Sequence, residues 1–182
     1  MVTFSGQVTQ GTFTITPEIY SPQTGVSSTV PISTTQLREI QYPQTSVLPH
    51  GKILAISAEH GSIMTFDPST SAWVNVGTTQ VPYGVWTSFA PGKYLITGGG
   101  NTFTDYHDRA DDPNAVPSQK TAKILDMTSG SPVWSDASQM NFGRSFHNVT
   151  MMPDGKAIAI GGSSIISDFA RVNDSTVTAE IW

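Results

Sequence analysis

The chain of 182 residues contains no cysteine, which excludes disulfides and any thiolate-bound metal from this stretch. Charge is scarce too. Asp, Glu, Lys and Arg make up 13% of the residues, against about 25% in an average globular domain, and serine, threonine, glycine and proline fill the difference. Such a hydroxyl-rich, weakly ionic surface suits an exported protein. The net charge of −5 leaves no basic footprint for nucleic acid. No apolar run approaches the length needed to cross a membrane as a helix, so no membrane partner is expected. Helical periodicity is missing as well, because Gly, Pro, Asn and Asp interrupt the chain roughly every 8–12 residues. Only residues 34–40 suggest a brief helical turn, as a connector.

What is present is a strand pattern written in triplicate. Residues 42–59, 83–100 and 146–162 each read as strand, tight turn and returning strand, centred on Pro49-His50-Gly51-Lys52, Ala90-Pro91-Gly92-Lys93 and Pro153-Asp154-Gly155-Lys156. Proline presets φ, glycine supplies the left-handed backbone angle, and lysine opens the returning strand. The returning strands Ile53-Leu54-Ala55-Ile56, Tyr94-Leu95-Ile96-Thr97 and Ala157-Ile158-Ala159-Ile160 are short apolar runs, and the last two stop at Gly98-Gly99-Gly100 and Gly161-Gly162. Glycines there allow backbones to crowd. A third strand follows in Glu18-Ile19-Tyr20-Ser21, Met64-Thr65-Phe66-Asp67, Lys123-Ile124-Leu125-Asp126 and Ala179-Glu180-Ile181-Trp182, and two of these continue through a polar turn to Trp73 or Trp134. Three or four antiparallel strands recurring at about 40–60 residues are the signature of a β-propeller blade.

The fold class expected is therefore all-β: a partial propeller, an open arc of about three to four four-stranded antiparallel blades. Residues 1–41 form the end of one blade and a connector, 42–81 a blade, 82–141 a blade and 142–182 an incomplete blade. Both ends fall in mid-blade, which predicts a fragment of a single propeller domain with blades missing on either side. Ile53, Ile56, Leu95, Ile96, Ile158 and Ile160, with Phe66, Leu125 and Val149, are the expected blade-to-blade core.

Repeat symmetry puts every loop that follows a Gly-Gly strand end on one face and the minimal hairpin turns on the other. Two loops on the first face are long: 100–119, with Asp105-Tyr106-His107-Asp108-Arg109 and Asp111-Asp112, and 163–176, with Asp168, Phe169, Arg171 and Asp174. Long loops on a repetitive scaffold are where binding is built. The acidic cluster with its single imidazole invites a metal reading, but its spacing fits no recognised cage, so a solvated polar loop is expected and no metal site. His50 and His60 lie in turns and read as solvent histidines. His147, at the start of a blade strand, points toward the disc and reads as a structural histidine hydrogen-bonded to backbone beside the central channel, because no second ligand adjoins it in sequence.

Gly143-Arg144-Ser145-Phe146-His147, Pro153-Asp154-Gly155-Lys156, Gly161-Gly162 and Ala179-Glu180-Ile181-Trp182, in this order and spacing, resemble the Kelch-type propeller of galactose oxidase and its relatives, including the glyoxal oxidases. The resemblance extends over essentially the whole chain. It implies a secreted copper radical oxidase, extracellular or periplasmic, in which one copper is held by two tyrosines and two histidines and one tyrosine is cross-linked to a cysteine as the radical cofactor. Such enzymes oxidise primary alcohols or aldehydes with O2 and release H2O2.

Carried over by position, the resemblance places Tyr106, His107 and Phe169 at substrate-lining positions, to meet a small alcohol, aldehyde or carbohydrate. It places no copper ligand and no catalytic residue in this chain: the cross-linked pair falls before Met1 and the Tyr-His ligand pair after Trp182, with Phe146-His147 as its repeat equivalent one blade earlier. The chain alone is thus expected to bind no redox copper and to be inactive. Two departures argue against galactose as substrate: Val8 stands where an indole covers the radical tyrosine, and residues 42–52 hold no sugar-binding arginine. The alternative is a non-catalytic Kelch propeller that binds a protein or glycan on its loop face.

Overall fold

The computed structural model describes residues 16–30, 43–57, 61–100, 116–166 and 175–182, and in addition the backbone of the strands within 2–14. Every regular element among them is a β-strand, and every strand pairing is antiparallel. No helix among the described residues is long and apolar enough to cross a membrane. The chain divides into two compact units, residues 1–79 and 80–182.

In the first unit, β1 (Val2–Thr3), β4 (Glu18–Ser21) and β5 (Val26–Thr29) form a three-stranded sheet in the order β1-β4-β5. Between β1 and β4 the chain makes a separate hairpin, β2 (Gly6–Thr9) with β3 (Thr12–Thr14). β6 (Gln44–Val47), β7 (Ile53–Ile56), β8 (Ser62–Asp67) and β9 (Ala72–Thr78) then form a four-stranded meander in sequence order. Strand alternation puts Ile53, Ala55, Met64, Phe66 and Trp73 on one face, where they pack with Ile19 of the preceding sheet and with Val30 just beyond its last strand. Phe66 and Trp73 are cross-strand partners whose rings tilt together at 4.9 Å.

The second unit repeats the pattern. β10 (Val85–Ala90), β11 (Lys93–Thr97), β12 (Ala122–Asp126) and β13 (Val133–Asp136) make another meander in sequence order. β14 (Asn148–Met151), β15 (Ala157–Ile160) and β16 (Glu180–Ile181) supply the first three strands of the next. β14 runs beside β10, and Leu95, Ala122, Val149 and Ala157 form the core between the two sheets. The three hairpin turns carry Gly51, Gly92 and Gly155 at φ of 84°, 72° and 84°, the left-handed region that the turn tetrads require. Separate up-and-down sheets of this kind are the construction of a partial propeller rather than of a closed barrel.

One part of the expected core is wrong. Ile160 is 51% exposed and Ile158 only half-buried, while Ala157 and Ala159 point inward. The period of two decides it: Val149 pairs with Ala159 and Met151 with Ala157, so the face that meets Leu95 and Ala122 takes the alanines. In β7 both faces are covered and no such choice arises.

Candidate functional site

The glycine-terminated ends of β11 and β15 lie together in the second unit, and the feet of both long loops converge there. Gly99 donates its amide to the Arg144 carbonyl at 2.9 Å, the Gln119 amide returns to the Gly99 carbonyl at 2.7 Å, and the Arg144 amide reaches the Gln119 carbonyl at 3.3 Å. At the second loop, Ser163 exchanges backbone hydrogen bonds with Ser145 in the segment before β14, and across the loop the Thr176 amide donates to the Gly162 carbonyl at 2.8 Å. The two loops are also stitched to each other: the Ser118 amide donates to the Ser164 carbonyl at 2.8 Å and the Ile166 amide to the Val116 carbonyl at 3.0 Å. Beneath these bonds Ser118 Oγ donates to Ser145 Oγ at 3.0 Å, and Ser145 Oγ donates to the Ile165 carbonyl at 2.9 Å.

Arg144 sits at the centre with none of its surface exposed. Its guanidinium donates through Nη1 to the Gly161 carbonyl at 3.0 Å and through Nη2 to the Thr178 carbonyl at 2.8 Å and to Glu180 Oε1 at 2.7 Å. Glu180 in turn accepts the Asn141 and Phe142 amides. Its carboxyl is pushed up by burial but pulled further down by the Asn141 amide, Arg144 and the Phe142 amide, so it lies below the ordinary carboxylate value. Phe146, between Arg144 and His147, is half exposed and adopts φ of 53°, a strained angle for a bulky residue.

His147 reaches across to β11, where its Nε2 lies 2.8 Å from Thr97 Oγ1. Nδ1 has no hydrogen-bond partner among the described residues, and neither does Arg144 Nε. Burial, and then the Arg144 charge, lower the His147 pKa to about 4, against a partial opposing pull from Glu180. The ring is therefore neutral at pH 7. The unfolded chain takes up the proton near 6.5 and the folded chain only near 4, so this histidine's contribution is complete above pH 6.5 and is lost as pH falls from 6.5 to 4. The shift corresponds to about 3 kcal/mol over that window. Urea unfolding at pH 7 and pH 4 measures it: His147→Gln, which keeps a hydrogen bond to Thr97 but does not titrate, should lose less stability across the interval than the wild type.

The structural histidine expected at position 147 is thus present, though its partner is a side chain of the neighbouring sheet rather than backbone. His50 is exposed in its turn. Tyr106, His107 and Phe169, the expected substrate wall, lie outside the described residues, as do His60 and the acidic cluster between Asp105 and Asp112. Sequence reasoning missed the Arg144–Glu180 pair. The available signal was a lone arginine and a lone glutamate in motif segments that hold no other Asp, Glu, Lys or Arg, within a chain that uses charge sparingly. Among the described residues no three His, Cys, Asp or Glu side chains converge as metal ligands, and His147 is a single imidazole held between sheets. The described residues do not fit a copper cage.

Comparison with known structures places the fold. A fungal alcohol oxidase of the AA5 family, solved in complex with copper, matches with a TM-score of 0.71 at 20% identity, covering 92% of this chain and 36% of the oxidase. A protein named YjhT matches with a TM-score of 0.62 at 13% identity, covering 90% of this chain and 56% of its own. At these identities the likeness is one of fold, and the chain spans about a third of the first protein and just over half of the second. No family model and no curated protein sequence matches.

Proposed function

We propose that this chain is part of the catalytic propeller of an exported copper oxidase that acts on primary alcohols or aldehydes, with the Gly-Gly face as its substrate face. The observation that carries the reading is the match of nearly the whole chain to a copper-bound alcohol oxidase. The residues that prompted the galactose oxidase resemblance, Arg144, Gly161, Gly162 and Glu180, support it by forming the bonded floor of that face. In this reading 1–41, 42–81, 82–141 and 142–182 are successive blade segments of Kelch type. Loops 100–119 and 163–176 carry Tyr106, His107 and Phe169 as a wall for the substrate, an aromatic face with a hydrogen-bonding imidazole. The copper ligands and the cross-linked tyrosine and cysteine belong to the rest of the protein.

The overall reaction removes two electrons and two protons from a primary alcohol, giving the aldehyde, while O2 takes them up as H2O2. An aldehyde reacts as its hydrate in the same way to give the acid. The test is to express the complete gene product containing this chain, load it with Cu(II), and follow peroxide with benzyl alcohol, glycerol and methylglyoxal. Peroxide from at least one of them is expected, and none from the 182-residue chain treated identically. Peroxide from none, with copper bound, would leave the binding propeller as the better reading.

A further inference from the structure

We infer that Phe146 is a specificity-determining residue of the Gly-Gly face, a ring held out into solvent to take the apolar or aromatic body of an alcohol. The inference rests on the reading of that face as the substrate face. Phe146 differs from its neighbours in the chain. Arg144, Ser145 and His147 are all buried and bonded inward, Arg144 to Gly161, Thr178 and Glu180, Ser145 to Ser163 and Ile165, and His147 to Thr97. Phe146 itself is half exposed and belongs to neither hydrophobic core described above. Its left-handed backbone is a property of the repeat, since Tyr83 enters β10 from the equivalent position with φ of 57° against 53° for Phe146. Glycine or asparagine would supply that angle at less cost, so the backbone does not account for a phenylalanine. Packing does not account for it either. A bulky residue kept in a strained conformation by well-anchored neighbours, with its ring in solvent, is a feature of binding sites rather than of cores.

Bare backbone lies beside the ring. The pairings of Ser145 with Ser163 and of Asn148 with Ile160 flank the site, so Phe146 and His147 run opposite Gly161 and Gly162. Neither glycine brings a side chain, and a Cβ on Gly161 would meet nothing within 4 Å. A phenyl group can stack on such a ring, whereas a small polyol gains little from it.

Titration calorimetry of the copper-loaded complete gene product, with O2 excluded so that the reaction cannot turn over, tests this. Phe146→Asn, which accepts the left-handed angle, should weaken benzyl alcohol binding about tenfold, the upper end of what one ring contact supplies, and change glycerol binding by less than about twofold. Phe146→Tyr should keep benzyl alcohol affinity within about threefold of wild type. The urea midpoint of Phe146→Asn should equal or exceed the wild-type value, because strain is relieved and no core contact is lost. A lowered midpoint would assign the ring to packing and overturn the inference. Benzyl alcohol binding that is absent from the wild type, unchanged in Phe146→Asn, or lost in equal measure with glycerol binding would overturn it too. The peroxide assay fails separately: ring-dependent binding without peroxide removes the oxidase reading and keeps the role of Phe146, and peroxide with ring-independent binding does the reverse.

Discussion

Glu180→Ala should cost the chain about 3–5 kcal/mol of unfolding free energy, the loss expected when one partner of a buried ion pair is removed. Arg144 is completely buried, so the variant strands its guanidinium with only the Gly161 and Thr178 carbonyls to answer it. The Asn141 and Phe142 amides lose their acceptor in the same stroke. Glu180→Gln should cost less, since an amide oxygen still accepts from them. Lys123→Ala is the internal control: Lys123 bonds Asp136 at 2.6 Å, but Asp136 is 88% exposed, and its loss should stay within about 0.5 kcal/mol. Urea titrations of the three variants against wild type at pH 7 decide it. A Glu180→Ala cost no larger than that of Lys123→Ala would mean that the buried pair contributes nothing the fold needs.

The same pair sets an acid limit. The Glu180 carboxyl titrates lower in the folded chain than in the unfolded one, so its contribution is complete above the unfolded value and disappears as pH falls through the lower, folded value. His147 acts earlier, between pH 6.5 and 4. Acidification therefore removes first the advantage of the neutral imidazole and then the carboxylate, both from the knot beneath the loop face.

How much of this was legible depended on the range of the interaction. The hairpins around Gly51, Gly92 and Gly155 were readable because turn chemistry is local: proline and glycine fix their own dihedrals whatever surrounds them. The third strands β4, β8, β12 and β16 were readable from their repetition. The hairpin between β1 and β4 was not, since no other copy repeats it. The inward face of β15 was misread because isoleucine outranks alanine on any hydrophobicity scale, whereas register with β14 decides which face is buried. The knot depends on contacts at long sequence separation. Arg144 meets Glu180 over 36 residues, and His147 meets Thr97 over 50. Neither pair has a local pattern that would bring it together before the sheets are in place. The expected substrate wall of Tyr106, His107 and Phe169 lies beyond the described feet of the loops.

Gly98→Ala should prove as damaging as loss of the ion pair, at about 4 kcal/mol or more, while Gly155→Ala should cost only about 1 kcal/mol. The two glycines have nearly the same backbone, φ of 76° and 84°, so conformational strain alone predicts equal effects. Their surroundings differ. A Cβ on Gly155 meets nothing within 4 Å, whereas one on Gly98 would overlap the Arg144 carbonyl oxygen and lie 2.6 Å from His147 Cε1. Relief would require the segment carrying Arg144 and His147 to move away from β11. That displacement would break the Gly99 amide bond to Arg144 and stretch the His147–Thr97 contact together. Thermal or urea unfolding of both variants separates the two causes: equal losses would assign the glycine at 98 to its dihedral angle alone. A much larger loss at 98 would show that glycine ends this strand so that Arg144 can approach closely enough to tie down the loops.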